Sequence, residues 1–346
     1  MTFSSATTDG SLFVGHTVAL IPGPRAQALK PWMDSTEIAK GLDAYPCKLP
    51  YGFFFPVSAS SSTAGVVNEG LDVSSTGLVG KNDLLIVGPG VLGRLVAEQW
   101  QKEKPGCQIF GQTMTKDHHD ELIKIGINPI LREVKPTHQF PYVIFCAPPY
   151  RTADYPEDVR MAASNWNGEG TFLFTSSSAP YDRNDNGPCD EDSPVVPIGR
   201  NPRTDVLLKA EKIVLEIGGC VLRLAGLYIS LIDKGPHVYW LEKGTVEARP
   251  DHVLNLIHYE DAASLSVAIL KKKLHGHIFL GCDNHPLSRQ EIMDLVKRSG
   301  KFSKKFESFT GTDDPLGKRL NNSKTRVEIE WEPKYPSFAQ FLGLPE

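Results

Sequence analysis

The chain has 346 residues, of which 40% are hydrophobic and 23% are charged, and its formal net charge is −4. This composition is typical of a soluble globular protein with one large domain or two smaller ones. The charge balance does not favour a nucleic-acid or membrane-surface partner, and the longest apolar runs are too short to span a bilayer.

The leader, residues 1–65, differs from the rest because it shows no sustained hydrophobic periodicity. It ends in a Ser-rich stretch, with small residues at positions 57–60 that are typical of the processing region of an organelle transit segment. Such segments are usually rich in Arg and poor in acids, whereas this one has a single Arg, Arg25, and contains four acidic residues. Two interpretations stay open: a transit segment for a chloroplast or another organelle, or a disordered leader of a cytoplasmic protein.

Strand-like and helix-like segments alternate from residue 83 onward. Short apolar runs bounded by Gly or Pro predict buried strands, and apolar residues at helical spacing predict helices. The predicted strands are 84–88, 107–113, 142–149, 170–178, 220–229 and 277–283. The predicted helices are 91–103, 117–126, 203–219, the later part of 252–270, 287–300 and a short one at the end of the chain.

Repeated βα units predict an α/β fold with a doubly wound parallel sheet, the Rossmann arrangement. We assign residues 80–230 to this NAD(P)-binding domain. The pattern loosens after residue 229, and residues 231–346 are expected to form a small C-terminal substrate lobe. Some segments of that lobe, such as the late strand at 277–283, are expected to return to the Rossmann sheet.

A glycine-rich turn follows the first predicted strand and opens the first predicted helix. Gly88, Gly90 and Gly93 match the GxGxxG pattern, with Val91 and Leu92 inside it. In this context the first glycine allows a tight turn, the second admits a pyrophosphate, and the third lets helix and strand pack closely. The phosphates then meet the free N–H groups of the helix N-terminus. The motif predicts dinucleotide binding, and the alternative is a purely structural turn.

The end of the second strand decides the contact with the adenosine ribose. NAD-binding proteins usually place Asp or Glu there to bind the ribose 2′-OH. This chain has Thr113, Met114 and Thr115 instead, followed by Lys116. Hydroxyl groups and an ammonium could accept a 2′-phosphate, so NADP is favoured and NAD stays open. The alternative for Lys116 is a solvated loop charge.

Six cysteines are scattered along the chain and none forms a CxxC pair, so buried thiols in a reducing compartment are expected. His118 and His119 lie at the polar start of a predicted helix, without partners at the spacing of metal ligands. We therefore expect no metal site.

The segments GPGVLG, YVIFCAPP, FTSSSAPYD, DEDSPVVP, VLRLAGLY, NLIHYEDAA, KRLNNSK and PKYPSFAQFL follow one another in a characteristic order. This ordered set resembles the extended short-chain dehydrogenase/reductases of the NAD-dependent epimerase/dehydratase superfamily, and more closely their atypical members, over residues 83–346. The resemblance implies a nicotinamide cofactor lying along the predicted strand 142–149, which matches the fourth strand of the family, at Ala147, Pro148 and Pro149. It also implies that Ser177, four residues before Tyr181, hydrogen-bonds the substrate; the alternative is a serine that satisfies backbone groups at a strand end.

The proton relay of the family, Tyr-x-x-x-Lys, is missing from this chain. The family usually has Glu four residues after the Lys, and Glu211 fits that position, which puts Leu207 at the Lys position and Arg203 at the Tyr position. Leu carries no charge, and Arg stays protonated and transfers protons poorly. Lys209 lies on a different face of the helix.

Other side chains are candidates to replace the relay. Tyr181 follows the predicted strand 170–178 and Tyr228 ends the predicted strand 220–229, so both could line the cleft. Arg203 could bind a carboxylate or phosphate of the substrate. The alternatives are a packed aromatic residue for Tyr181 and a surface charge for Arg203. His258 is expected to bond the backbone between the lobes.

Two functional hypotheses follow. The first is an NADP-dependent oxidoreductase, epimerase or dehydratase that acts on a small polar substrate with a substituted catalytic site. The second is a dinucleotide-binding sensor or assembly factor without turnover. A scaffold that binds no dinucleotide is a weaker third class.

Overall fold

The computed structural model of the chain describes residues 79–134, 136, 138–229 and 235–345. The leader, residues 1–65, lies outside this range, and so do the predictions of a transit segment and of an organelle location. Among the described residues, no helix is long and apolar enough to cross a membrane.

Seven parallel strands form the central sheet. They are β1 Leu84–Val87, β2 Ile109–Thr113, β3 Ile127–Leu131, β4 Tyr142–Phe145, β5 Phe172–Ser177, β6 Cys220–Leu224 and β7 Ile278–Gly281. Their order in the sheet is β3-β2-β1-β4-β5-β6-β7. The strand order reverses between β1 and β4. Ligands of doubly wound sheets bind in the crevice that such a reversal opens. The predicted α/β doubly wound fold is confirmed.

Nine α-helices accompany the sheet. They are α1 Val91–Glu103, α2 His119–Lys124, α3 Tyr155–Ala163, α4 Pro202–Glu216, α5 Pro236–Lys243, α6 Tyr259–Lys272, α7 Arg289–Ser299, α8 Ser323–Ile329 and α9 Phe338–Phe341 in the described part of the chain. Helices α1 and α6 contact each other and bury apolar side chains on one face of the sheet. Helices α3 and α4 do the same on the opposite face. The sheet is therefore covered on both sides, as parallel sheets require.

The start and end of α4 show how local sequence sets the elements that frame the crevice. The Asn201 side chain accepts a hydrogen bond from the Arg203 N–H at 2.9 Å, and Pro202 occupies the first helical position. Gly218 follows the helix with a φ of +82°, a conformation that L side chains rarely adopt. The cap, the first-turn proline and the glycine stop thus set the bounds of α4.

The C-terminal part of the chain adds a separate apolar cluster and rejoins the sheet. Helices α5, α7 and α9 contribute buried residues such as Trp240, Ile292 and Phe338 to this cluster. Four two-stranded pairs lie outside the central sheet in the described residues: Pro188–Cys189 with Arg319–Leu320, Gly226–Tyr228 with Leu256–His258, Thr245–Val246 with Ser308–Phe309, and Val253–Leu254 with Leu287–Ser288. Strand β7 pairs with β6 at the edge of the central sheet.

Candidate functional site

The glycine-rich turn joins β1 to α1 at the crevice, and two of its glycines make close backbone contacts. Gly88 has a φ of +79°, and a Cβ there would lie 2.7 Å from the Ala147 Cα at the end of β4. A Cβ on Gly93 would lie 2.8 Å from the Ile86 Cγ2. Gly88 therefore lets the ends of β1 and β4 meet, and Gly93 lets α1 pack on β1.

Gly90 faces open space. It is the N-cap residue of α1, and among the described residues a Cβ on Gly90 would meet nothing within 4 Å. The first-turn N–H groups of a helix lack intrahelical partners and carry partial positive charge. Val91 and Leu92 belong to that first turn. The turn therefore leaves room for a phosphate group exactly where backbone dipoles favour one, and its residues fit a dinucleotide pyrophosphate.

The end of β4 forms the other wall of the turn. Pro148 is extended and Pro149 begins a short 3-10 turn, Pro149–Arg151. The Tyr155 hydroxyl donates a hydrogen bond to the Ala147 carbonyl oxygen at 2.8 Å. This bond from α3 fixes the segment 147–149 next to Gly88.

The end of β2 carries short polar side chains and an exposed methionine. The Thr113 Oγ1 and the His119 Nε2 are 2.8 Å apart, and the Thr115 hydroxyl donates to Asp117 at 2.8 Å. The Met114 side chain is 59% exposed. Sequence reasoning missed a further residue here, Arg132, which follows β3 and contacts the Met114 sulfur through its guanidinium at 3.7 Å.

Ser177 is the last residue of β5 and is half-buried. Its Oγ accepts a hydrogen bond from the Ala179 N–H at 3.1 Å. This contact agrees with the alternative interpretation of Ser177, a serine that satisfies a backbone group at a strand end. The carboxyl end of β5 lies beside that of β4, because the two strands pair in parallel. Ser177 thus lies at the sheet edge where ligands of this fold bind, and its contact with substrate stays a prediction.

Tyr181 is packed inside the protein, with 2% of its surface exposed. The Arg223 guanidinium carbon lies 4.7 Å from the ring centroid, and the Lys318 Nζ lies 5.9 Å from it. Burial raises the pKa of the Tyr181 phenol to about 12, although the neighbouring Arg223 opposes that rise. The phenol is therefore neutral near pH 7, and Tyr181 is suited to hydrogen bonding or to proton donation but not to acting as a base.

A buried charge network links β5, β6 and α4, and sequence reasoning missed it. The Ser176 hydroxyl donates to the Glu211 Oε1 at 2.5 Å, and the Arg223 Nη2 donates to the Glu211 Oε2 at 2.7 Å. All three residues are buried. A signal was available, because Arg223 interrupts the apolar run CVLRLAG and a buried Arg needs a partner.

The start of α4 holds the two residues at the relay positions. Arg203 is exposed in the first turn of α4. Leu207 is half-buried and packs against the apolar face of the sheet that α3 and α4 cover. Lys209, two positions further, is exposed. The structure therefore brings no ammonium group to the Leu207 position from α4 itself.

Tyr228 and His258 pair across two short strands and are both buried. The His258 Nδ1 accepts a hydrogen bond from the Glu260 N–H at 3.2 Å. This is a local bond that caps α6, and not the backbone bond between the lobes that the sequence predicts. Burial lowers the pKa of His258 to about 4, so the ring is neutral at pH 7. Burial raises the pKa of Tyr228 well above its usual value. Neither group is suited to act as a base near neutrality.

In the part of the chain that the structure describes, no group of three His, Cys, Asp or Glu side chains is arranged to hold a metal ion.

Comparison with known proteins identifies a fold class. No protein-family model matches the chain. Solved structures with the same fold include dTDP-glucose 4,6-dehydratase from Bacillus anthracis in complex with NAD, with a TM-score of 0.60 and 14% identity over 75% of this chain and 94% of that one. UDP-glucose 4-epimerase from Thermotoga maritima with UDP-glucose has a TM-score of 0.60 and 15% identity over 76% of this chain and 96% of that one.

Two further proteins are similar without a stated activity. A conserved protein of unknown function from Silicibacter pomeroyi has a TM-score of 0.61 and 20% identity over 75% of this chain and 96% of that one. Protein YeeZ of Escherichia coli K12 is 27% identical over 169 residues, which are 48% of this chain and 58% of YeeZ. The match thus spans less than two thirds of this curated relative. The resemblance to epimerases and dehydratases is confirmed at the level of the fold.

Proposed function

We propose that the protein is an atypical extended short-chain dehydrogenase/reductase that binds a nicotinamide dinucleotide in the crevice between β1 and β4. The open space at Gly90, above the N-terminus of α1, carries this proposal. A pyrophosphate seated there receives hydrogen bonds from backbone N–H groups and interacts favourably with the helix dipole. The nicotinamide then extends toward the ends of β4 and β5.

The fold comparisons support the choice of cofactor. The dehydratase from Bacillus anthracis was solved in complex with NAD, and its fold extends over 75% of this chain. In proteins of this class the cofactor exchanges hydride with the substrate, and the protein supplies binding, orientation and proton transfer. We therefore propose an NAD(P)-dependent oxidoreductase or an epimerase/dehydratase-like enzyme for a small polar substrate.

Three side chains are proposed to act on that substrate. Ser177 ends β5, and its hydroxyl would hold a substrate oxygen. Arg203 is exposed at the start of α4, and its guanidinium would bind a carboxylate or phosphate. Tyr181 would donate a proton from its phenol, which burial keeps neutral near pH 7 by raising its pKa to about 12. A neutral donor of this kind favours reduction of a carbonyl, in which the developing alkoxide needs a proton.

The experiment is a titration of the chain with NADPH and with NADH, using two glycine variants at opposite ends of α1. Gly90→Val fills the open space of the turn, so the helix should form while dinucleotide affinity falls at least tenfold. Gly106 has a φ of +84°, and a Cβ there would also meet open space among the described residues. Gly106→Val therefore introduces backbone strain, lowers the melting temperature and keeps dinucleotide affinity. Equal affinity of Gly90→Val and the parent chain for both dinucleotides would contradict the proposal.

A second candidate function is a dinucleotide sensor or assembly factor without turnover. It is favoured by Leu207 and Arg203, which stand where the proton relay of the family would be. This function predicts that NADPH raises the melting temperature while no hydride leaves the cofactor in the presence of a panel of carbonyl compounds. Oxidation of NADPH by any member of the panel, abolished in Tyr181→Phe, would instead establish the enzyme.

A further inference from the structure

We infer that Arg132 selects NADP(H) over NAD(H) by binding the 2′-phosphate of the adenosine ribose. The inference deepens the proposed function and rests on it, since it concerns the same dinucleotide. Lys116, the cation that the sequence offers for this role, is exposed in the loop after β2.

The position of Arg132 carries the inference. Its backbone N–H donates to the Thr113 carbonyl oxygen at 2.9 Å, which ties the end of β3 to the end of β2. Its guanidinium reaches over that end and contacts the Met114 sulfur at 3.7 Å. In dinucleotide-binding sheets the residue that ends the second strand faces the adenosine ribose. Arg132 therefore brings its positive charge to the ribose end of the crevice.

The chemistry of the surrounding residues points to a phosphate. Residues 112–116, which end β2 and follow it, are Gln-Thr-Met-Thr-Lys and include no carboxylate. A carboxylate at this position would accept hydrogen bonds from the ribose hydroxyls and repel a 2′-phosphate. The end of β2 itself therefore lacks the usual acceptor for NAD, and the guanidinium beside it matches phosphate geometry. The Asp158 carboxylate nearby is paired with that guanidinium.

Asp158 on α3 holds the guanidinium in place. Both terminal nitrogens of Arg132 pair with the Asp158 carboxylate, one of them at 2.9 Å. The Arg132 side chain remains 30% exposed, and the Asp158 side chain is 13% exposed. A guanidinium has five N–H donors. Beyond the pair with Asp158, the terminal nitrogens of Arg132 contact, among the described residues, only the sulfurs of Met114 at 3.7 Å and Met161 at 4.0 Å. Sulfur is a weak acceptor, so a phosphate oxygen can replace it. Because Asp158 fixes the orientation beforehand, less side-chain entropy is lost when the phosphate binds.

The test is the ratio of NADPH to NADH affinity, measured through the fluorescence of the bound reduced nicotinamide. We expect the parent chain to prefer NADPH. Arg132→Gln should weaken NADPH binding about tenfold or more, since it removes a hydrogen-bonded ion contact, and should leave NADH affinity unchanged. The matched control is Arg160→Gln, which removes the same charge from an exposed pair with Glu157 on α3. The control should alter neither affinity.

The outcomes separate this inference from the proposed function. An unchanged affinity ratio in Arg132→Gln overturns the inference while the proposed function stands. If the parent chain binds neither dinucleotide, the proposed function fails and the inference fails with it. If Arg132→Gln does not fold, Arg132→Lys keeps a cation for Asp158 but lacks the planar fork of donors. That variant should fold and bind NADPH severalfold more weakly than the parent chain at equal NADH affinity, and an unaltered ratio in it overturns the inference as well.

Discussion

The crevice has two halves that are built in different ways. In the nucleotide half, residues 88–93 and 147–149, the N-terminus of α1 lies beside open space at Gly90. The catalytic half, residues 176–181 and 203–211, is filled with side chains, including a buried ion pair and a packed tyrosine. The first half leaves open space beside a helix N-terminus, whereas the second is occupied by packed and charged side chains.

In the proposed function, therefore, different residues hold the dinucleotide and act on the substrate. Phosphate binding depends on glycines and on the helix dipole, and both act only where the backbone keeps one particular conformation. Proton transfer depends on a few side chains, and here Arg203 and Leu207 occupy their usual positions. The following predictions test this division, from the largest expected effect to the smallest.

Breaking the ion pair in the catalytic half should have the largest effect on stability. Glu211→Gln leaves the guanidinium of Arg223, which is 4% exposed, without a charged partner. Removing one member of a buried pair typically costs about 3–5 kcal/mol. Urea denaturation should show a loss of this size, while Lys212→Gln, which removes an exposed pair with Glu216, should leave the free energy of unfolding unchanged within error. Equal effects of the two variants would mean that the network does not support the catalytic half.

A crowded glycine in the nucleotide half should give an intermediate effect. In Gly93→Ala the new Cβ would lie 2.8 Å from the Ile86 Cγ2 and 3.2 Å from the Gly88 carbonyl oxygen. Overpacking of this kind costs roughly 1–3 kcal/mol. Thermal unfolding should show a larger loss for Gly93→Ala than for Gly90→Ala, because Gly90 faces open space. The reverse order would contradict the packing of α1 on β1.

The smallest structural effect is expected for Ser177→Ala. The variant loses one half-buried hydrogen bond, to the Ala179 N–H, so the free energy of unfolding should fall by about 1 kcal/mol or less. NADPH affinity should stay unchanged, because the nucleotide half is intact. Turnover of a carbonyl substrate, where found, should fall strongly in stopped-flow or steady-state assays. Full turnover in Ser177→Ala would remove this serine from the proposed site.

Local patterns predicted most of the sheet, and the exceptions have physical reasons. Strand β3 was not predicted, since Pro129 interrupts the run INPIL. Proline cannot donate to a sheet, yet β3 is an edge strand and tolerates it. Helix α3 was also missed, although the Asp154 side chain caps it by accepting from the Glu157 N–H at 3.1 Å.

The glycine motif of the nucleotide half could be predicted from sequence because its residues are adjacent in the chain. The glycine motif places all its members within one turn, so spacing alone defines the geometry. The network of Ser176, Glu211 and Arg223 joins two strands and a helix that are distant in sequence, and only the fold brings them together. Arg132 reaches Met114 for the same reason, through the pairing of β2 with β3.

Strand β7 has a consequence for how the protein is made. It pairs with β6 in register, with Ile278 opposite Val221, although residues 226–272 of the chain lie between them in other elements. During synthesis the backbone donors and acceptors along the outer side of β6 stay unpaired until residue 281 has left the ribosome. An unpaired apolar edge is a template for pairing with other chains. A fragment ending near residue 230 would keep this exposed edge permanently, so the central sheet depends on the C-terminal part of the chain to cover its edge and to resist aggregation.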